Sequence, residues 1–224
     1  NKMNKLINWL VFLVILIPGI YLALTWNQLP AKIPMHFDIN GNADRYGNKQ
    51  ELLTVVLILP AFSLFIYFLL ANIYRIDPKK YADENRVRLK RIAFAVVLFM
   101  VALTCLIIYS ASSGGSTFDV SLVLAAVGLF FAIIGNYLPN LKPNYFAGMR
   151  LPWTLENPEN WRKTHALAGK LWFGGGLLLA ITCLFLPAKA AMILFFAVMI
   201  LLVFIPTVFS YRFYIHQKRS GPVQ

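Results

Sequence analysis

Polar residues along this chain are bunched, and long apolar stretches separate them. Six uncharged runs stand out: Leu6–Trp26, Leu52–Tyr74, Ile92–Ala111, Val120–Leu138, Leu171–Leu186 and Ala190–Tyr211. A helix needs about 20 apolar residues to cross the hydrocarbon core of a bilayer. The fifth run is short. Asn157 as N-cap and Pro158 at the first helical position would start that helix upstream and lengthen it. The pattern predicts an all-α membrane protein with six transmembrane helices. The first run reads as a retained helix, because a signal peptide has a shorter core and a small-x-small exit, whereas this run leaves through Leu24-Thr25-Trp26-Asn27.

The polar intervals divide the chain. Residues 1–74 hold the first two helices and the loop between them, and 75–119 a basic loop and the third helix. Residues 120–187 hold helices four and five with the longest polar interval, and 188–224 the last helix and a basic tail, with Tyr211-Arg212 as an interfacial anchor. In the first loop, Ile33-Pro34-Met35-His36-Phe37-Asp38-Ile39 alternates and then meets Asn40-Gly41. Asn-Gly tolerates positive φ at both turn positions, so a small extracellular hairpin is expected, with Phe37 and Ile39 on one face and His36 and Asp38 on the other. Ser112 to Thr117 reads as a flexible outer turn. Asp83-Glu84 to Arg88 reads as a solvated helix start.

Composition agrees: the chain is 59% hydrophobic and 13% charged, typical of a polytopic membrane protein. The net charge of +12 would suit nucleic acid, but its distribution argues otherwise. With both termini cytoplasmic, seventeen of the 21 Lys and Arg fall on inner segments, and the outer face is neutral. This is the positive-inside pattern, so membrane lipids account for the basic excess and no direct nucleic-acid contact is needed.

Residues 11–37 set against 120–146 agree at ten of 27 positions without a gap. Both copies leave the membrane as Asn-x-Leu-Pro-x-x-x-Pro-x-x-Phe, from Asn27 and from Asn136. Three spans separate them, so they exit on opposite sides. That fits a 3+3 inverted-topology repeat.

Chemistry is sparse within the runs. None contains Asp, Glu, Lys, Arg or His, which counts against an ion-coupled transporter. Cys105 and Cys183 sit in apolar runs and read as small buried residues. Asp38-x-Asn40-Gly41-Asn42-x-Asp44 has the look of a calcium loop but misplaces the glycine and lacks the bidentate glutamate. His36 and His165 fall on opposite faces, about 30 Å of hydrocarbon apart, and cannot share an ion. No metal, cofactor or catalytic residue is assigned. Trp161, His165 and Trp172 share one helical face, as in an amphipathic interfacial helix with aromatic anchors. Arg150, beside Pro152, Trp153 and Thr154, offers a planar donor fork. It suits a lipid headgroup, a peptide carboxylate, or an internal pair with Glu156 or Glu159.

Gly135-Asn136-Tyr137-x-Pro139, Pro143-Asn144-x-Phe146-x-Gly148-x-Arg150-x-Pro152-Trp153-Thr154 and Trp161-x-x-Thr164-His165-x-x-x-Gly169 resemble the signature of the SdpI family of membrane immunity proteins. Leu29-Pro30-x-x-Ile33-Pro34-x-His36-Phe37, with Gly41, Asp44 and Lys49, is similar to an uncharacterised module that precedes it in many members. The resemblance implies a multi-pass protein of the bacterial plasma membrane that protects its cell from a secreted antimicrobial peptide. It also implies a signalling role, in which a cytosolic transcriptional repressor is held at the membrane. The residues it marks for binding are Asn136, Asn144, Arg150, Pro152, Trp153, Thr154, Trp161 and His165 inside, with His36 and Asp44 outside; Asp38 and Asn40 at the hairpin turn join these as polar candidates from the loop itself. It implies no reaction.

Two rivals follow from the residues. A small transporter or flippase built on the repeat would show a midplane cavity lined by Asn27, Asn136 or the glycines. A membrane enzyme acting on a lipid or peptide at the inner surface would hold Arg150 and His165 in a cleft.

Overall fold

The structure, a computed structural model, describes residues 2–38, 40–79, 81–113, 119–219 and 221. Ile39 of the expected hairpin and most of the expected Ser112–Thr117 turn lie outside the described residues. The helices are α1 (Lys2–Ile15), α2 (Ile17–Thr25), α3 (Lys49–Asn72), α4 (Ala82–Ser112), α5 (Val120–Tyr137), α6 (Pro152–Glu156), α7 (Pro158–Thr182) and α8 (Ala188–Arg219). One hairpin, β1 (Ile33–Phe37) with β2 (Ala43–Gly47), joins α2 to α3.

Among the described residues six helices are long and apolar enough to cross a membrane, with α1 and α2 forming one bent span. The break falls at Leu16, where Pro18 in the first turn of α2 removes a backbone donor. Start signals in the sequence fix the other ends. Asn48 accepts from the Glu51 amide, Asp119 from Leu122, and Asn157 from both Glu159 and Asn160. That last cap, with Pro158 behind it, carries the fifth span back through His165 as expected. Large apolar side chains face outward on every span, among them Trp9, Phe65, Leu98, Leu129, Phe173 and Phe204. A surface this apolar requires lipid around it.

Two three-helix sets are visible. α1 to α4 share two cores, one around Ile7, Val11, Tyr67 and Val97, the other around Leu22, Leu52, Val56 and Ile108. The second set has its own, around Ala125, Leu179, Cys183 and Ala191. One cluster joins the sets at a single end of the bundle, where Ile73, Leu89 and Ile92 meet Leu138, Leu141 and Ala168. Elsewhere the seam between α4 and α5 opens sideways into a cavity of about 590 Å³, bridged by the stacked rings of Phe99 and Phe130.

α5 and α7 pack most tightly. A Cβ on Gly135 would lie 2.5 Å from the Phe173 amide nitrogen, and one on Gly176 2.5 Å from that of Ala132. The glycines thus bring two backbones together, as small residues do between membrane helices. They do not line the seam cavity, where the transporter expectation would place them. Asn27 and Asn136 are exposed and do not line the seam cavity either.

The two Asn-x-Leu-Pro exits both bury their leucine, Leu29 and Leu138, and both pass through a 3-10 turn. The first then becomes strand β1, whereas the second enters an irregular segment.

Candidate functional site

The residues singled out by motif gather at two opposite ends of the bundle. At one end is the hairpin. Ile33, fully buried among Leu22, Leu52, Val56, Ile108 and Ala111, nails it to the helices. Asp38 builds the turn: its Oδ1 accepts the Asn40 and Asn42 amides, each at 2.8 Å, and Gly41 takes φ 83°. These bonds, the Asn42 amide foremost, hold the Asp38 carboxyl below its ordinary pKa. Asn40 is exposed at the tip. His36 Nδ1 meets Asp44 Oδ1 at 2.6 Å across the strands, with both side chains largely in solvent. An exposed pair of this kind contributes at most about 1 kcal/mol. His36 and Asp44 therefore add little to stability and stand available to a partner.

The other end holds the segment between α5 and α7, and here the motif residues close on one another. His165 is fully buried and stacks on Trp161 at 4.0 Å. Its Nδ1 meets the Trp161 carbonyl at 2.8 Å, and its Nε2 accepts the Met149 amide at 2.9 Å. Accepting at Nε2 and donating at Nδ1 fixes a neutral tautomer with both nitrogens used. Gly148, at φ 98°, lets the backbone pass over the ring. The Trp161 indole donates to the Leu141 carbonyl at 2.8 Å. Asn144 accepts from the Phe146 and Ala147 amides and donates to the Lys142 and Ala147 carbonyls, which uses all its capacity. The Thr154 hydroxyl accepts the Leu151 amide and donates to the Met149 carbonyl. Pro152 starts α6.

Trp153 reaches across to α8, where its indole nitrogen donates to the Ser210 hydroxyl and its ring packs against Tyr211 and Tyr214. Tyr211 is thus a partner of Trp153. The helix expected to end near it as an anchor runs on to Arg219. Asn160 donates to the Ser210 carbonyl at 3.0 Å, and Asn157 to Gln217 at 2.6 Å. Asn136 is exposed on α5 and stands outside this clasp.

Three expectations change. The Trp161–His165 face turns into the bundle, so it is no interfacial anchor; the buried polar groups of Asn160, Thr164 and His165 all find protein partners there. Arg150 pairs with neither Glu156 nor Glu159. It is exposed, donates once to the Tyr145 carbonyl at 2.8 Å, and leaves most of its fork to solvent; Glu159 is held by Lys163 at 2.9 Å. Arg150 and His165 also share no cleft, and a buried imidazole with both nitrogens bonded is not placed for acid–base work.

The sequence reading missed Asn85. It is fully buried on α4, in the stretch read as solvated, and its amide makes two bonds to the backbone of Lys142, at 2.9 and 3.0 Å. It acts as a one-residue strand that ties the two helical sets together. Replacing it with Ala takes the acceptor from the part-buried Lys142 N–H, removes one of two donors from the Lys142 carbonyl and leaves a void at a fully buried position. Asn85→Ala is expected to cost about 2–4 kcal/mol in detergent unfolding, against under about 0.5 kcal/mol for exposed Asn72→Ala.

Residues 140–210 match the SdpI/YfhL protein family, and residues 13–62 match a domain of unknown function, DUF1648. The chain is 27% identical over 203 residues to the immunity protein SdpI of Bacillus subtilis strain 168, covering 88% of this chain and 89% of that one. Over 50 residues it is 44% identical to an uncharacterised protein of Archaeoglobus fulgidus, covering 21% of this chain and 27% of that protein. No solved structure matches. The family resemblance read from the motifs is thus borne out, and the chain is a multi-pass plasma-membrane protein.

Proposed function

We propose that this chain is a membrane immunity protein that protects its cell from a secreted, membrane-active antimicrobial peptide. The observation that carries this reading is the near end-to-end similarity to an immunity protein, which spans the hairpin, the clasp and all but a tenth of each chain. The charge pattern orients the molecule with the hairpin outside and the clasp in the cytoplasm.

Two surfaces support peptide contact. The hairpin offers the exposed His36–Asp44 pair and Asn40. The seam cavity offers apolar walls, including Leu98, Phe99, Ala102, Ala126, Leu129 and Phe130, within reach of a peptide already in the bilayer. Burial of apolar surface would supply the affinity and the polar hairpin the selectivity. The clasp is a rigid tie between the two helical sets, and it transmits occupancy of the seam to the cytoplasmic face. There, with Arg150 exposed at its rim, it would hold a cytosolic repressor.

Expression in a strain sensitive to the sporulation-delay peptide should raise the tolerated peptide concentration. Equal killing with and without the protein, at matched membrane levels, contradicts the proposal. Ala126→Trp, which fills the seam, should reduce tolerance about tenfold or more if the seam is the contact, as loss of a central anchor does. Unchanged tolerance in that variant, with a loss in His36→Ala/Asp44→Ala, assigns the contact to the hairpin.

A further inference from the structure

Beside the clasp lies a second, polar cavity of about 390 Å³, which the immunity reading does not use. Its walls come from the start of α4, the segment after α5 and the first turn of α7. Arg88, Lys142 and Arg162 all open onto it. One carboxylate, Glu159, shares the rim, but it is engaged by Lys163 at 2.9 Å and by the Gln217 amide at 3.2 Å. Among the described residues neither Lys142 nor Arg162 has a carboxylate within ion-pair distance, and Arg88 donates only to the Glu84 carbonyl one turn back. Three cations therefore face one hollow that holds a single carboxylate, Glu159, whose charge is shared between Lys163 and the neighbouring Arg162.

The hollow is built rather than incidental. Asn85 grips the Lys142 backbone from behind, and the buried Trp161 indole holds the Leu141 carbonyl, so the wall carrying Lys142 is fixed. Pro158 and Glu159, the first residues of α7, line the same space, so the positive end of that helix dipole lies beside it, although Asn157 caps the Glu159 and Asn160 amides. Guanidinium forks match tetrahedral oxyanions, and the held backbone keeps the bases of the donor side chains in place.

We propose that this cavity is a binding site for a phosphate group, held by Arg88, Lys142 and Arg162. On the charge-based orientation it opens at the inner membrane surface, where the group comes either from an anionic phospholipid headgroup or from a soluble phosphate. The site requires no toxin and stands apart from the immunity reading.

The test uses the purified full-length protein in neutral detergent. Thermal unfolding is followed against dioleoyl phosphatidylglycerol, dioleoyl phosphatidylcholine, glycerol phosphate and inorganic phosphate. Wild type should be stabilised by phosphatidylglycerol over phosphatidylcholine. Arg88→Gln/Arg162→Gln should weaken the apparent affinity about tenfold or more, as loss of charge-assisted hydrogen bonds does. Lys142→Gln, exposed and safe for folding, should weaken it less, and Arg212→Gln/Lys218→Gln, which removes equal charge from the same face outside the cavity, should not. A matching response to glycerol phosphate or inorganic phosphate assigns the site to the free anion; a response to the lipid alone assigns it to the headgroup. An equal loss in the Arg212/Lys218 control would reduce the effect to the general basic belt and overturn the proposal. So would an unchanged lipid preference in the cavity variants, or no stabilisation of wild type by any phosphate source.

Discussion

Gly148→Ala should dismantle the clasp. The new Cβ would lie 2.3 Å from His165 Nε2, at a backbone φ of 98° that side chains rarely adopt. The ring cannot step aside, because its other nitrogen is bonded to the Trp161 carbonyl and its face is stacked on the indole. Either the ring or the loop must move, and the Met149 amide then loses its acceptor. A buried donor left unpaired costs about 1–3 kcal/mol, and left-handed backbone about 1–2 more. A loss of about 2–5 kcal/mol is expected in detergent unfolding. Gly174→Ala is the control: a Cβ there meets nothing within 4 Å, so the variant should be neutral or up to about 1 kcal/mol more stable. Combining Gly148→Ala with His165→Ala should cost less than the sum of the two, since the clash needs the ring.

Gly176→Val should cost about 3 kcal/mol or more and deplete folded protein from the membrane. The Cβ of residue 176 would sit 2.5 Å from the Ala132 nitrogen and 2.6 Å from the Gly128 carbonyl oxygen. These are backbone atoms in the facing helix, so no rotamer change relieves the overlap and α5 must part from α7. Gly175→Val tests the mechanism. Its nearest neighbour is Leu202 Cδ2 at 2.8 Å, the end of a flexible side chain, so the loss there should be clearly smaller. Equal losses at 175 and 176 would remove close backbone approach as the cause.

The spans were legible because lipid imposes one rule: apolar residues over about 20 positions. Local chemistry announced the helix from Pro158, through its Asn157 cap, and the hairpin at Asn40-Gly41, although only Gly41 of the two takes positive φ and the turn is wider than the two residues expected, running from Phe37 to Ala43 around Asp38. The clasp was legible only as a list of motif residues. That Asn144, Thr154, Trp161 and His165 satisfy one another, rather than face a ligand, depends on three-dimensional closure that spacing cannot show. Asn85 was invisible for the same reason: a lone asparagine among charges looks solvated until Lys142 is seen across from it. The glycines of α5 and α7 misled in the opposite sense, since a small residue marks a close approach and an open space equally well in sequence. Tyr211 keeps the half-exposed ring of an interfacial aromatic, and its contact with Trp153 is what spacing could not show.

The account depends on a bilayer lying between the hairpin and the clasp, and impermeant labelling of intact cells measures this most directly. Cys105 and Cys183 are replaced by Ala, and a single cysteine is placed at Asn42, exposed beside the hairpin turn, or at Tyr145, exposed on the clasp. An impermeant maleimide added outside should modify residue 42 in intact cells and residue 145 only after lysis. Modification of both in intact cells, or of residue 145 alone, would contradict the two-ended membrane architecture.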